Sequence, residues 1–242
     1  MIPGRILEQN SLVSEVTIEA GDARLEGILS IPRGAKGIVL FAHGSGSSRR
    51  SPRNRYVAQE LQSKKIATLL FDLLTREEES SDQLTGELRF NIPFLAGRLI
   101  DATQWILRRP DIAKLPIGYF GASTGAGAAL AAAARLTGVV GAVVSRGGRP
   151  DLAGAALGSV KAATLLIVGG NDEAVIGMNQ TALWQLGCEP KELVIVSGAT
   201  HLFEEQGKLK EVARLAEDWF SQHLAASERS QARAIAVNPA RN

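Results

Sequence analysis

The sequence has little of what builds disulfide frameworks or membrane spans. Its 242 residues include one cysteine, Cys188, so no disulfide can form within the chain. No apolar run approaches the roughly 20 residues that a membrane-spanning helix needs, because glycine or charge interrupts each one. The first residues, MIPGRILEQNSL, contain no apolar stretch of signal-peptide length. We therefore expect a soluble, cytoplasmic protein that does not engage a membrane.

An excess of either sign of charge is also absent. The chain carries 27 lysines and arginines against 25 aspartates and glutamates, and both signs are scattered. A nucleic-acid binder needs a concentrated basic face to displace counterions from phosphates, so we expect no nucleic-acid partner. Histidine, cysteine and carboxylate residues nowhere show the spacing of a metal site, so we expect neither a metal nor another cofactor.

Short apolar runs alternate with amphipathic stretches through most of the chain. Two β-rich runs, 12–20 and 23–32, flank Gly21-Asp22 and predict an antiparallel hairpin. Continuously hydrophobic runs then predict strands buried on both faces of a parallel sheet, at 37–42, 66–71, 116–120, 139–144, 164–168 and 193–196. Helical spacing lies between and after them, at 54–63, 94–107, 124–136, 178–186 and 204–224. This order predicts a doubly wound α/β domain that binds ligands at the carboxyl ends of its strands.

The domain boundaries follow from the same pattern. With 45% hydrophobic residues, 1–225 can form one domain, and the polar tail 226–242 is expected to be disordered. The connection 73–92, LLTREEESSDQLTGELRFNI, is acidic and too long for an ordinary turn. It predicts a small flap over the site and no large lid domain. A monomer and a homodimer are both compatible with this sequence.

The strongest chemical signal is the pentapeptide Gly121-Ala122-Ser123-Thr124-Gly125, which follows a predicted strand and opens a predicted helix. A serine on such a sharp turn presents its hydroxyl above the sheet, and small neighbours leave room for the turn. The alternative is a small-residue turn that only lets a helix pack closely. The strand-turn-helix context favours Ser123 as a nucleophile.

A serine hydroxyl needs an adjacent base, and the chain has three histidines. His223 falls near the end of the amphipathic last helix, where a surface role is expected. His43 belongs to the loop HGSGS after the first parallel strand and is expected to shape that loop. His201 follows the last predicted strand, in GATHLF, and is therefore the predicted general base.

The base in turn needs a carboxylate that fixes its tautomer. Asp172 follows the strand at 164–168 in the turn GGND, which gives the chain order Ser, Asp, His of the α/β-hydrolase fold. Asp151 and Glu173 are the alternative candidates, ranked below Asp172.

An ester hydrolase also needs donors for the oxyanion that forms on the substrate. The backbone N–H of Thr124 is predicted to be one donor, because it lies just after the nucleophile at a helix N-terminus. The backbone N–H of Ser45 in the HGSGS loop is the predicted second donor.

Together these residues resemble the dienelactone hydrolase-like branch of the α/β hydrolases. The resemblance spans about 27–224 and rests on HGSGS, the strand end FDL, GASTG, GGND and GATHLF. The chain is also similar to a hydrolase module found beside or fused to phosphoribosyltransferase domains. Dienelactone hydrolases proper use a cysteine nucleophile, whereas this elbow holds Ser123. The resemblance therefore implies a serine esterase that cleaves small carboxylic esters or lactones through an acyl-enzyme.

Two arginines suggest a preference for charged substrates. Arg146 and Arg149 follow a strand end, where guanidinium groups could hold a substrate carboxylate in a bidentate manner. The competing interpretation is that they are surface charges or members of structural salt bridges.

Other functions stay open at this point. An acyltransferase or a haloperoxidase could use the same triad, and a catalytically silent binding module could keep the fold. GASTGAG also looks like the phosphate loop of an NAD(P)-dependent short-chain dehydrogenase. About half the chain precedes that loop, and neither Tyr56 nor Tyr119 has a lysine four residues on, so this alternative is disfavoured.

Overall fold

The computed structural model describes residues 6–8 and 11–224. Nine strands in this part of the chain form one sheet. They are β1 (Ile6–Glu8), β2 (Ser11–Ala20), β3 (Ala23–Pro32), β4 (Gly37–Ala42), β5 (Ile66–Phe71), β6 (Ile117–Ala122), β7 (Val140–Arg146), β8 (Ala163–Gly169) and β9 (Lys191–Val196). Six α-helices and one 3₁₀ segment accompany them: α1 (Pro52–Ser63), α2 (Arg76–Thr85), α3 (Ile92–Leu107), α4 (Thr124–Arg135), the 3₁₀ segment (Pro150–Ser159), α5 (Glu173–Gln185) and α6 (Lys208–His223).

The sheet is mostly parallel and opens with antiparallel strands, as the sequence predicts. Its strand order is β1-β2-β3-β5-β4-β6-β7-β8-β9. The strands β2 and β3 form the predicted hairpin, in register from Ser11 with Pro32 to Ala20 with Ala23. Gly21 turns the hairpin with a φ of 61°, a left-handed conformation that glycine adopts without strain. From β5 to β9 all neighbouring strands are parallel.

The parallel strands are buried on both faces, which explains their continuous hydrophobic runs. Every residue of β4 is buried, and its side chains alternate between two cores. Ile38 and Leu40 pack into one core with α3 and α4, whereas Val39 and Phe41 pack into the other with α1 and α6. On α6 the predicted apolar stripe faces this second core, with Val212, Ala216, Trp219 and Phe220 buried.

The structure differs from the sequence-based assignment mainly in three elements. The strand β1, the helix α2 and the 3₁₀ segment were not predicted, and α5 begins at Glu173 instead of residue 178. The sequence of α2, REEESSDQLT, has no apolar stripe, so hydrophobic periodicity could not reveal it. The tail predicted at 226–242 lies outside the described residues.

The strand order brings two loops of interest together. β4 lies between β5 and β6 in the sheet. The chain therefore adds β5 on one side of β4 and later adds β6 on its other side. This makes the carboxyl ends of β4 and β6 a topological switch point, where doubly wound sheets bind ligands. The HGSGS loop follows β4 and Ser123 follows β6. Among the described residues, no helix is both long and apolar enough to cross a bilayer.

Candidate active site

Ser123 occupies a sharp turn between β6 and α4. Its backbone has φ 51° and ψ −123°, a conformation that side chain-bearing residues rarely adopt. Its N–H is donated to the carbonyl of Arg146 on the adjacent β7, at 3.3 Å. Its own carbonyl accepts N–H groups from Ala126 and Arg149, each at 3.0 Å. These three hydrogen bonds hold the backbone of Ser123 in the turn.

Two glycines make this turn possible because backbone crowds them. A Cβ on Gly121 would lie 2.4 Å from the Cα of Ala126, and a Cβ on Gly125 would lie 2.2 Å from the carbonyl oxygen of Ala42. No side chain fits at either position without moving backbone. The first turn of α4 therefore packs directly against the end of β4.

His201 pairs with Asp172 across the carboxyl ends of β8 and β9. The His201 Nδ1 lies 2.6 Å from Asp172 Oδ2. The Asp172 side chain is 15% exposed, whereas that of His201 is 38% exposed. The two loops are also joined through backbone, because the Asn171 N–H is donated to the carbonyl of Ala199 at 2.9 Å. With Nδ1 bound by a carboxylate, Nε2 is the nitrogen available for proton transfer.

The two alternative carboxylates lie elsewhere. Asp151 forms an ion pair with Arg149 Nη2 at 2.7 Å. Glu173 is an exposed residue in the first turn of α5. Of the three candidates, Asp172 is thus the one that the structure brings to His201.

The loops of Ser123 and His201 meet at Gly147. This residue follows Arg146, whose carbonyl accepts the N–H of Ser123. A Cβ on Gly147 would lie 2.8 Å from the carbonyl oxygen of His201 and 3.5 Å from its Nδ1. The φ of 50° at Gly147 also favours glycine. Gly147 was not predicted as a site residue. The sequence signal for it is the pair Gly147-Gly148, which is typical of a close backbone approach.

The HGSGS loop packs on the other side of Ser123. A Cβ on Gly44 would lie 3.1 Å from the Cβ of Ser123, so the two residues are in close contact. His43 Nε2 accepts the N–H of Leu73 at 3.1 Å, and its Nδ1 lies 3.0 Å from the carbonyl of Gly44. The imidazole is therefore neutral with the proton on Nδ1, and burial lowers its pKa. His43 links the HGSGS loop to the connection after β5, in line with a role in shaping the loop.

The predicted second oxyanion donor already has a partner. The N–H of Ser45 is donated to Oγ1 of Thr124 at 2.9 Å. A substrate oxygen could use this N–H only if the threonine hydroxyl moved away. The assignment of Ser45 as an oxyanion donor therefore stays a prediction, and the sequence does not reveal that the Thr124 side chain reaches this loop.

The two arginines also have partners within the protein. Arg149 is bound by Asp151. Arg146 is 6% exposed, its guanidinium lies 6.0 Å from the centre of the Phe203 ring, and Nη2 is 3.4 Å from Asn54 Oδ1. Burial and the nearby Arg53 lower the pKa of Arg146 to about 10. Both guanidinium groups are thus engaged within the protein, and their predicted contact with a substrate carboxylate stays a prediction.

A cavity of about 140 Å³ opens between the HGSGS loop, Thr124 and the connection after β5. The connection contains α2, whose first turn is closed by a reciprocal pair of hydrogen bonds between Thr75 and Glu78. Residues of this connection and its start line the cavity: Asp72, Leu73, Leu74, Glu79, Asp82, Gln83 and Arg89. The polar segment that we interpreted as a flap thus forms one wall of this cavity. The sequence Thr75-Arg76-Glu77-Glu78 is a capping signal that could have revealed the helix.

Comparison with proteins of known structure assigns the family. A dienelactone hydrolase from Anabaena variabilis is 59% identical, with a TM-score of 0.87, over 89% of this chain and 100% of that one. The chain belongs to the dienelactone hydrolase family of α/β-fold hydrolases. A cold-adapted esterase from an Arctic intertidal metagenomic library shares the fold, at 16% identity and a TM-score of 0.73 over 91% of this chain and 97% of that one. No protein-family model matches the chain.

The similarity to the dienelactone hydrolase covers most of this chain, whereas the curated relatives of the chain are longer than it is. A Mycobacterium tuberculosis protein described as a putative phosphoribosyl transferase is 59% identical over 211 residues, which are 87% of this chain. Those residues are 46% of the relative, so the chain spans about half the length of the curated relatives it matches.

The elbow is where this member of the dienelactone hydrolase family departs from the pattern stated above. Serine stands at the elbow, and Cys188 lies between α5 and β9 in a buried position. Burial raises the pKa of the Cys188 thiol, which disfavours the nucleophilic thiolate. Cys188 is therefore a poor candidate for a nucleophile.

Proposed function

We propose that this chain is a serine hydrolase that cleaves small carboxylic esters or lactones through an acyl-enzyme intermediate. In this proposal Ser123 is the nucleophile, His201 the general base and Asp172 the residue that orients the base. The observation that carries it is the 2.6 Å contact between His201 Nδ1 and Asp172 Oδ2, in loops that meet the Ser123 turn at Gly147.

The proposed cycle has two halves. Ser123 Oγ attacks the ester carbonyl and its proton passes to His201 Nε2, while the carbonyl π electrons move to the oxygen. The bond to the leaving alkoxide then breaks, and His201 returns the proton to it. In the second half water attacks the acyl-enzyme with the same base, which releases the acid and restores the serine. The cycle uses only side chains, backbone donors and water.

The cavity at Gly44, Ser45 and Thr124 supports a small substrate, since it adjoins the Ser123 turn, although Ser123 and His201 themselves do not line it. Its volume of about 140 Å³ is close to the roughly 150 Å³ known to hold one benzene molecule. One side of the ester therefore fits there if it has about six heavy atoms. Serine hydroxyls from the HGSGS loop line the space, and the lining charges of Asp72 and Asp82 are paired with Arg49 and Arg89, which favours a polar, uncharged group.

Exposure of the base supports hydrolysis over transfer to another acceptor. The His201 side chain is 38% exposed, so water can reach the acyl-enzyme next to the general base. A buried triad would be expected where water must be kept from a transferred acyl group.

The expected cytoplasmic location belongs to the same proposal, and the buried free thiol of Cys188 agrees with a reducing compartment.

The proposal is tested by Ser123→Ala with Ser159→Ala as the matched control. Ser159 ends the 3₁₀ segment and is exposed. With p-nitrophenyl acetate, Ser123→Ala should lower kcat by about 10⁶-fold, to the assay background, because the covalent step is lost. Ser159→Ala should keep the wild-type rate, and both variants should keep the wild-type circular dichroism spectrum. A Ser123→Ala protein that hydrolyses the ester at the wild-type rate would defeat the assignment.

A further inference from the structure

The side chain of Thr124 has a position that the proposed mechanism does not yet use. Its Oγ1 accepts the Ser45 N–H at 2.9 Å, across 79 positions of the sequence. Thr124 is only 4% exposed, yet it lines the cavity together with Ser45 and Gly44. A residue that lines this cavity thus lies directly after the proposed nucleophile, with its hydroxyl joined to the HGSGS loop.

The hydrogen bond from Ser45 determines what this hydroxyl can still do. A threonine hydroxyl has one donor hydrogen and two acceptor lone pairs. Ser45 fills a lone pair, so the hydrogen stays available for donation. Accepting one hydrogen bond also polarises the O–H and makes it a better donor.

The surrounding backbone fixes the position of Thr124 next to the nucleophile turn. Gly44 contacts Ser123, which keeps the HGSGS loop against the nucleophile turn. Thr124 begins α4, and Gly125 presses its first turn against the carbonyl of Ala42. The N–H and the O–H of Thr124 therefore belong to one residue directly after Ser123, and the Ser45 N–H holds the hydroxyl in place.

We propose that the Thr124 hydroxyl, held by the Ser45 N–H, is the second oxyanion donor of this enzyme. The inference rests on the proposed serine hydrolase function and gives the Thr124 hydroxyl the role that was predicted for the Ser45 N–H. As Ser123 Oγ bonds to the carbonyl carbon, the negative charge on the carbonyl oxygen accepts hydrogen bonds from the N–H and the O–H of Thr124. The hydroxyl keeps its proton throughout, and the leaving alkoxide takes its proton from His201.

This assignment and the original one predict opposite effects of removing the hydroxyl. If Ser45 N–H were the donor, the Thr124 hydroxyl would compete with the substrate for it, and removing the hydroxyl would raise kcat or leave it unchanged. If the hydroxyl is the donor, removing it lowers kcat. Thr124→Val separates the two cases because valine keeps the shape of threonine and the backbone N–H.

The test compares Thr124→Val with Thr124→Ser, which restores the hydroxyl without the methyl group. Thr124→Val should lower kcat by about 10²–10³-fold, as loss of one oxyanion donor does, with a smaller change in KM. Thr124→Ser should stay within about tenfold of wild type. Thr181→Val is the control for the substitution itself, since Thr181 is an exposed residue of α5.

A second readout distinguishes lost stabilisation of the oxyanion from general damage. A trifluoromethyl ketone forms a hemiketal oxyanion with the serine, so its inhibition constant should rise in Thr124→Val by the factor lost in kcat/KM. The melting temperatures of the three variants should stay near that of wild type. If Thr124→Val retains the wild-type kcat, or Thr124→Ser loses as much as Thr124→Val, the inference is overturned while the proposed function stands. A wild-type protein without esterase activity would overturn both.

Discussion

Ser123 holds its unusual backbone conformation at a cost of about 1–3 kcal/mol, which the surrounding contacts must offset. Three backbone hydrogen bonds, to Arg146 and from Ala126 and Arg149, hold the residue in place. Strain of this kind persists where the surroundings over-determine a conformation, as they do at nucleophile turns. The geometry at this single residue therefore links the fold to the proposed chemistry.

Replacing Asp172 by asparagine tests the role of the acid at the residue scale. The amide cannot stabilise the imidazolium and favours the wrong tautomer of His201, so kcat should fall by about 10⁴-fold. Asp151→Asn is the matched control, because Asp151 pairs with Arg149. Steady-state kinetics on p-nitrophenyl acetate would check both variants. Equal, small losses in the two variants would contradict the assignment of Asp172.

His43 provides a prediction about pH and stability. Burial lowers its folded-state pKa below the ordinary 6.5, although the carboxylates of Asp72 and Glu79 partly oppose this. The unfolded chain therefore binds the proton first, and stability is lost as pH falls from about 6.5 toward the lowered pKa. Protonation also removes the acceptor of the Leu73 N–H.

His43→Gln isolates this effect, since its amide oxygen can accept the Leu73 N–H without titrating in this range. Urea denaturation at pH 7.5 and pH 5.5 would measure the free energy of unfolding of both proteins. The wild type should lose more stability between the two pH values than His43→Gln does. Identical losses would show that His43 does not titrate as described.

The sequence predicted the contacts of some site residues and not those of others, for a physical reason. Asp172 and His201 follow strand ends in chain order, and the structure brings them into contact at the sheet edge. The partners of Ser45 and Arg146 depend on where side chains from remote positions point. Thr124 and Phe203, which contact them, carry no local sequence signal of those contacts.

At the scale of elements, the approach of α4 to β4 depends on glycine. Gly125 belongs to the first turn of α4 and faces the carbonyl groups of Ala42 and His43 at the end of β4. The same contact places the HGSGS loop beside Ser123. A helix that moved away by the size of one methyl group would separate the proposed nucleophile from that loop.

Gly125→Ala and Gly97→Ala form a matched pair that tests this packing. A Cβ on Gly125 would lie 2.2 Å from backbone, whereas one on Gly97, inside α3, meets nothing within 4 Å. Gly125→Ala should lower the free energy of unfolding by about 1–3 kcal/mol or more and reduce kcat strongly. Gly97→Ala should raise it by about 0.5–1 kcal/mol, since alanine favours the helix. Urea denaturation of the two variants would decide, and equal stabilities would contradict the account.

The flap helix α2 is held by polar contacts in place of an apolar stripe. Its one large apolar residue, Leu84, is 90% exposed. Arg76 forms an ion pair with Glu26 at 2.8 Å, and Glu78 pairs with Arg98. Such contacts between remote residues leave no hydrophobic periodicity in the sequence. The sequence therefore predicted a flap there but not the helix, whose one local signal is the Thr75–Glu78 capping pattern.

At the scale of the whole molecule, the predicted architecture is confirmed. The hairpin, the parallel strands and the five predicted helices follow from local patterns of apolar residues, whereas α2 does not. The position of β4 between β5 and β6 was not predicted, because neighbouring strands are chosen by long-range packing. This order creates the switch point at which the HGSGS loop and Ser123 meet.

A hydroxyl without an activating base hardly reacts with a fluorophosphonate, so labelling of the intact protein tests the central claim most directly. The account predicts one labelled residue, identified by peptide mapping as Ser123, and no labelling after the protein is unfolded or in His201→Ala. Modification of a different residue, or labelling at Ser123 that is unaffected by loss of His201, would contradict the claim that this fold activates that one hydroxyl.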